Sequence, residues 1–104
     1  MRVPQNALEY ELAEEGASSL GRVGLELEAA LAALRAFDAA VAATATSAPL
    51  ARAELFAEAA DRLWVYVVQR EAMGLTHHDS VLERFGVTRE LRARMGPRKR
   101  RRKA

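Results

Sequence analysis

Residues 20–41 read LGRVGLELEAALAALRAFDAAV, and this stretch decides the fold. Leu20, Leu27, Leu34 and Val41 fall seven apart, with Val23, Ala30 and Phe37 at the intermediate positions. Apolar residues recurring at alternating steps of three and four line one face of an α-helix, and a sustained repeat of seven marks a helix that packs along its length against another. The pattern predicts a helix over 20–44. It stops in Thr44-Ala45-Thr46-Ser47-Ala48-Pro49, a run of small and polar residues whose proline suits the first turn of a following helix.

That following helix is expected over 49–73. On a helical wheel Ala53, Phe56, Ala57, Ala60, Leu63, Trp64, Val67 and Val68 share a face, while Arg52, Glu54, Glu58, Asp61, Arg62 and Gln69 lie elsewhere. Trp64-Val65-Tyr66-Val67-Val68 has strand propensity, but the periodicity on both sides is helical and overrides it. Trp64 reads as a core anchor. Gly74 is the expected stop.

Upstream, Asn6 and Glu9 have capping-box spacing, and a helix is expected from there through Glu15. Gly16, Ser18, Ser19, Gly21 and Gly24 weaken it, so a kink or break is expected in 16–21. Downstream, Thr76 or Ser80, the latter with Glu83, caps a short helix that ends at Gly86. Thr88 caps a second one over 89–95, closed by Gly96-Pro97. The expected fold is all-α: a long antiparallel helical hairpin, 20–44 against 49–73, with short flanking helices. One domain over 1–96 is expected, followed by a basic tail, 97–104, disordered by its own repulsion.

The bulk composition agrees. Half of the 104 residues are hydrophobic, much of that alanine, the best helix former. There is no cysteine, so disulfides, thiolate catalysis and cysteine-based zinc sites are excluded. No run approaches eighteen apolar residues, and Met1–Asn6 lacks the apolar core of a signal peptide, so a cytoplasmic protein is expected, with no membrane partner. Arg98, Lys99, Arg100, Arg101, Arg102 and Lys103 gather six of the sixteen basic residues; the rest of the chain carries ten against fourteen acidic ones. An acidic body thus bears a basic tail, suited to nucleic acid or another polyanion.

Several stretches taken together carry a resemblance. They are Ala7-Leu8-Glu9-Tyr10-Glu11, Leu20-Gly21-Arg22-Val23-Gly24, Val68-Gln69-Arg70-Glu71 with Gly74-Leu75, and Gly86-Val87-Thr88-Arg89-Glu90. In order and spacing the chain resembles an uncharacterised family of short helical alphaproteobacterial proteins, one of the domain-of-unknown-function families. The resemblance covers nearly the whole chain short of the basic tail, which looks like an addition to the family's pattern. It implies a bacterial helical protein and carries over no activity.

No constellation reads as catalytic, and no cofactor is expected. Gly21-Arg22-Val23-Gly24 lacks the preceding strand and following Lys-Ser/Thr of a phosphate loop; close helix crossing at small residues accounts for it better. Glu71 shares the wheel angle of Ala53 and Ala60, so it should be paired, protonated or at the open end of the bundle. Charge pairing at a helix end or interface is expected, with Arg22, Arg70 or His77 as partner and Glu71–Arg22 as the candidate buried pair. His77-His78-Asp79 reads as a solvated helix start, because adjacent histidines point apart and seldom share a metal ion. Glu9, Glu11, Glu14 and Glu15 lack the Glu-x-x-His pairs of a di-iron bundle.

Residues 79–95 allow a helix-turn-helix reading, with Val81, Phe85, Gly86, Val87 and Met95 near its apolar spacing and Arg89, Arg92 and Arg94 on the second helix. Leu82 is too large for its position, and Leu91 is one residue early. Leu25, Leu55, Val65 and Met73 lie off the two seams, which predicts a homodimer packed as a four-helix bundle. The expected function is non-enzymatic oligomerisation or protein interaction. The alternative is nucleic-acid binding through 79–95 and the tail.

Overall fold

The computed structural model describes residues 7–96. It contains four helices: α1 over Ala7–Thr44, α2 over Pro49–Ala72, α3 over Asp79–Phe85 and α4 over Arg89–Arg94. Among the described residues there is no strand. The Asn6 cap and the basic tail with Arg98–Lys103 lie outside the described residues.

α1 and α2 form the antiparallel hairpin. Asp38 meets Arg52, Glu26 meets Arg62, and Gly24 lies against Tyr66, so the two helices keep one register along their shared length. The seam of α1 enters the core as the spacing predicts. Leu27 and Leu34 are buried, and Leu20, Val23 and Ala30 pack against the core. Leu31, one turn beyond Leu27, is buried with them.

α1 does not break at 16–21; it is continuous for 38 residues. Packing offsets the weak local propensity there. A Cβ built on Gly24 would stand 3.2 Å from Tyr66 Cε1, and one on Gly16 would stand 3.5 Å from the Met73 side chain. The close crossing at small residues thus falls at Gly24. Gly21 has nothing within 4 Å of where its Cβ would be.

The buried face of α2 keeps Ala60, Leu63 and Val67 of the predicted one but is turned by roughly 70°, less than one residue. Ala59, Ala60, Leu63, Tyr66 and Val67 are buried. Ala53 is exposed, Val68 is 42% exposed and Trp64 is only half-buried, so Trp64 is not the core anchor. Tyr66 takes that role, with Phe85 of α3 set edge-on at a centroid distance of 5.1 Å.

α2 stops before Gly74, as expected, with the Leu75 amide donating back to the Arg70 carbonyl. α3 begins at Asp79 after His78 with no side-chain cap, so neither Thr76 nor Ser80 caps it. His78 is held by side chains of α2, which fixes where the helix starts. α3 leaves through Gly86, whose φ of +76° is left-handed and open to glycine without a Cβ penalty. Thr88 caps α4 as predicted, its hydroxyl accepting from the Leu91 amide. Leu82 and Leu91 then close the core from these two short helices.

Two ion-pair rungs fix the hairpin register. Arg52 binds both carboxylate oxygens of Asp38, at 2.8 and 3.1 Å, and Arg62 bridges Glu26 and Glu58. The hydrogen bond from Arg52 holds the Asp38 carboxyl below the usual carboxylate range, against partial desolvation. Because that carboxyl titrates lower folded than unfolded, its stabilising contribution is present above the ordinary carboxylate pKa and is lost as the pH falls through the depressed value. Asp38→Asn should therefore lower the melting temperature at neutral pH. The gap to wild type should close as the pH drops below about 4, and a gap unchanged down to pH 2 would refute the linkage.

Candidate functional site

Three regions gather side chains with chemical or binding potential. The first is the cluster where α2 turns into α3. Arg70 Nε donates to His78 Nδ1 at 3.0 Å, and a second Arg70 nitrogen donates to the His77 carbonyl at 2.7 Å. An arginine only donates, so Nδ1 accepts and neutral His78 carries its proton on Nε2. That N–H faces Glu71 Oε2 at 3.2 Å. Both ring nitrogens are occupied, and a general base needs one free. The cluster is a clamp that folds the turn onto the end of α2.

This corrects the reading of Glu71. It is paired at the end of α2, as expected, but it is exposed rather than buried, and its partner is His78, not Arg22. Arg22 is itself exposed and, among the described residues, reaches Ser19 at 3.5 Å. Glu71 shares the wheel angle of the exposed Ala53 and lies beyond that of the buried Ala60, at the outer edge of the core face. His78, expected to be solvated, has a side chain only 13% exposed. Among the described residues no three His, Asp or Glu side chains are grouped to hold a metal ion.

The second region is the α3–α4 pair. The two helices are joined by three residues, Gly86, Val87 and Thr88, in the manner of a helix-turn-helix. The arginines proposed to read nucleic acid are not equivalent. Arg89 is exposed. Arg92 donates to Asp79 at 2.9 Å. Arg94 lies over the Phe56 ring, 5.9 Å from its centroid, with Arg52 at 5.7 Å from the same ring. Arg92 thus ties α4 to α3, and Arg94 rests on α2. Leu91 is buried and Arg92 exposed, which is the one-residue offset from the motif that the spacing indicated.

The third region was not found as a unit in the sequence. Ala17, Leu20, Gly21, Gly24, Leu25 and Glu28 of α1, with Tyr66 and Phe85, line an open and mostly apolar groove of about 530 Å³. Leu25 stands 74% exposed at its edge. Leu50 at 83%, Leu8 at 65%, Val65 at 43% and Val68 at 42% are the other exposed large apolar residues. Among the described residues no helix is long and apolar enough to cross a membrane.

Comparison with known proteins adds one match. The model of the family described as "Family of unknown function (DUF6665)" matches residues 2–103, and the chain belongs to that family. The matched span runs through Lys103, so the basic run is not an addition beyond the family pattern. No curated protein and no solved structure matches the chain.

Proposed function

We propose that this member of a family of unknown function is a non-enzymatic helical interaction protein that acts as a homodimer. The observation that carries this reading is the apolar surface left uncovered by the hairpin: the groove on α1 together with Leu25, Val65 and Val68. Exposed large apolar side chains lose contact with water when a second helical surface covers them, and a core drawn from four helices in 104 residues gains stability from that burial. Two hairpins packed together give a four-helix arrangement with closed two-fold symmetry. A bacterial cytoplasm is the proposed setting, in keeping with the cysteine-free composition. Sedimentation equilibrium at micromolar concentration tests the reading. A mass near twice 11.4 kDa supports it, and a monomer at 11.4 kDa throughout overturns it.

A second reading draws on the helix-turn-helix shape of α3 and α4 and on the basic run Arg98–Lys103. Nucleic acid is its partner, held chiefly by the run, with Arg89 as the free arginine of α4. No aromatic residue is interleaved in the run, so it would bind phosphate without reading sequence. If all six cations engaged a duplex, log K would fall with log salt at a slope of about −5. Duplex DNA is titrated at two salt concentrations with the full chain and with a chain ending at Pro97. Unchanged affinity and slope after truncation would remove the run from the binding element. Binding that survives truncation and prefers one sequence would move the second reading to first place.

A further inference from the structure

We infer that the second copy docks antiparallel on the α1 groove, about a two-fold axis passing between Gly24 and Leu25. This rests on the homodimer reading and assigns its surface. Glu14, Gly21, Glu28 and Arg35 fall seven apart on α1, with Ala17 and Gly24 at intermediate positions. This row of small and charged residues flanks the core seam, which it meets at the buried Leu31, and its middle is the groove. The stripe is self-complementary. Gly21, with nothing within 4 Å of where its Cβ would be, keeps the groove open, the place beside Gly24 being taken by Tyr66, and the neighbouring Leu25 is a knob standing 74% exposed. A two-fold axis between residues 24 and 25 sets each Leu25 into the partner copy's groove, so that both grooves are filled at once.

Charge supports the same register. Glu14 and Arg35 stand equally far from that axis on opposite sides, and both are exposed. The antiparallel pairing brings Glu14 of each copy to Arg35 of the other, twice by symmetry. Arg35 already holds Glu28 of its own chain at 3.0 Å, so the incoming carboxylate completes a carboxylate–guanidinium–carboxylate set. A parallel pairing would instead stack Glu14 on Glu14, Glu28 on Glu28 and Arg35 on Arg35, which like charges oppose. The groove lining contributes one charged residue, the acidic Glu28, so the surface suits an apolar knob such as Leu25 better than a polyanion.

Two experiments test the surface. Leu25→Arg places a charge at the centre of the proposed contact, on a side chain whose exposure leaves the monomer fold intact by circular dichroism. It should raise the dissociation constant by about tenfold or more, while Leu50→Arg, at the far end of the hairpin, should not. The chain has no cysteine, so single cysteines report the geometry directly. Under mild oxidation Leu25→Cys should couple to itself, whereas Glu14→Cys and Arg35→Cys should couple chiefly to each other when mixed. A wild-type dimer that persists in Leu25→Arg overturns the docking surface and leaves the homodimer reading standing. Self-coupling of Glu14→Cys in preference to the mixed product overturns the antiparallel register. A monomeric wild type overturns the homodimer reading and this inference with it.

Discussion

Leu63→Ala should lower the free energy of unfolding by about 2–5 kcal/mol. Leu63 is fully buried in the middle of α2, where Leu27 and Leu31 of α1 complete the same core. Truncation removes the transfer free energy of the side chain and leaves a cavity that two paired helices cannot easily collapse. Urea unfolding at matched protein concentration measures the effect. The adjacent Trp64 supplies the control. Its side chain is larger, but it is half-buried and is not part of the core cluster. Trp64→Ala should therefore cost less than Leu63→Ala. The reverse order would mean that the face of α2 is turned toward Trp64, as its wheel suggests.

Leu91→Ala should release α4. A helix of six residues has no independent stability, because nucleation is unfavourable and a single turn does not repay it. What holds α4 is the buried Leu91, the Arg94 contact with Phe56 and the Arg92–Asp79 pair. The last two are exposed or half-exposed and contribute little alone. Losing the leucine costs about 2–5 kcal/mol, enough to open the segment locally. Hydrogen exchange should then show lost protection at 89–95 while 27–34 and 59–67 retain theirs. Uniform loss across all three would mean that α4 folds as one unit with the hairpin.

The reach of the sequence differs between the two long helices for a physical reason. In α1 the large residues Leu20, Leu27 and Leu34 stand among alanines and charges, so the phase of the buried stripe is unambiguous. In α2 the run Trp64 to Val68 is apolar at every position, and Ala51, Ala53, Ala57, Ala59 and Ala60 are spread round the wheel. Neither group carries phase information. The wheel therefore finds Ala60, Leu63 and Val67 but centres the face too far toward Trp64 and Glu71. The clamp at His78 was out of reach for another reason. It needs the chain to turn after Met73 and bring residue 78 back beside Arg70 and Glu71, a tertiary event that no local spacing encodes. The stops at Gly74 and Gly86 and the cap at Thr88 were legible because each is a local backbone requirement. The groove was half legible: Gly21, Gly24 and Leu25 were noticed separately, but Tyr66 and Phe85 join them only in three dimensions.

The unequal lengths of the hairpin arms bear on hydrodynamics. α1 has 38 residues and α2 has 24, so the N-terminal turns of α1 project past the end of their neighbour. The molecule measures 57 × 35 × 20 Å, closer to a paddle than a sphere. Such a particle diffuses and sediments more slowly than a sphere of equal mass and elutes early from a sizing column. A single copy would thus pass for something larger on a calibration drawn from compact standards. Stoichiometry is best taken from methods that weigh the particle independently of its friction, such as static light scattering or native mass spectrometry.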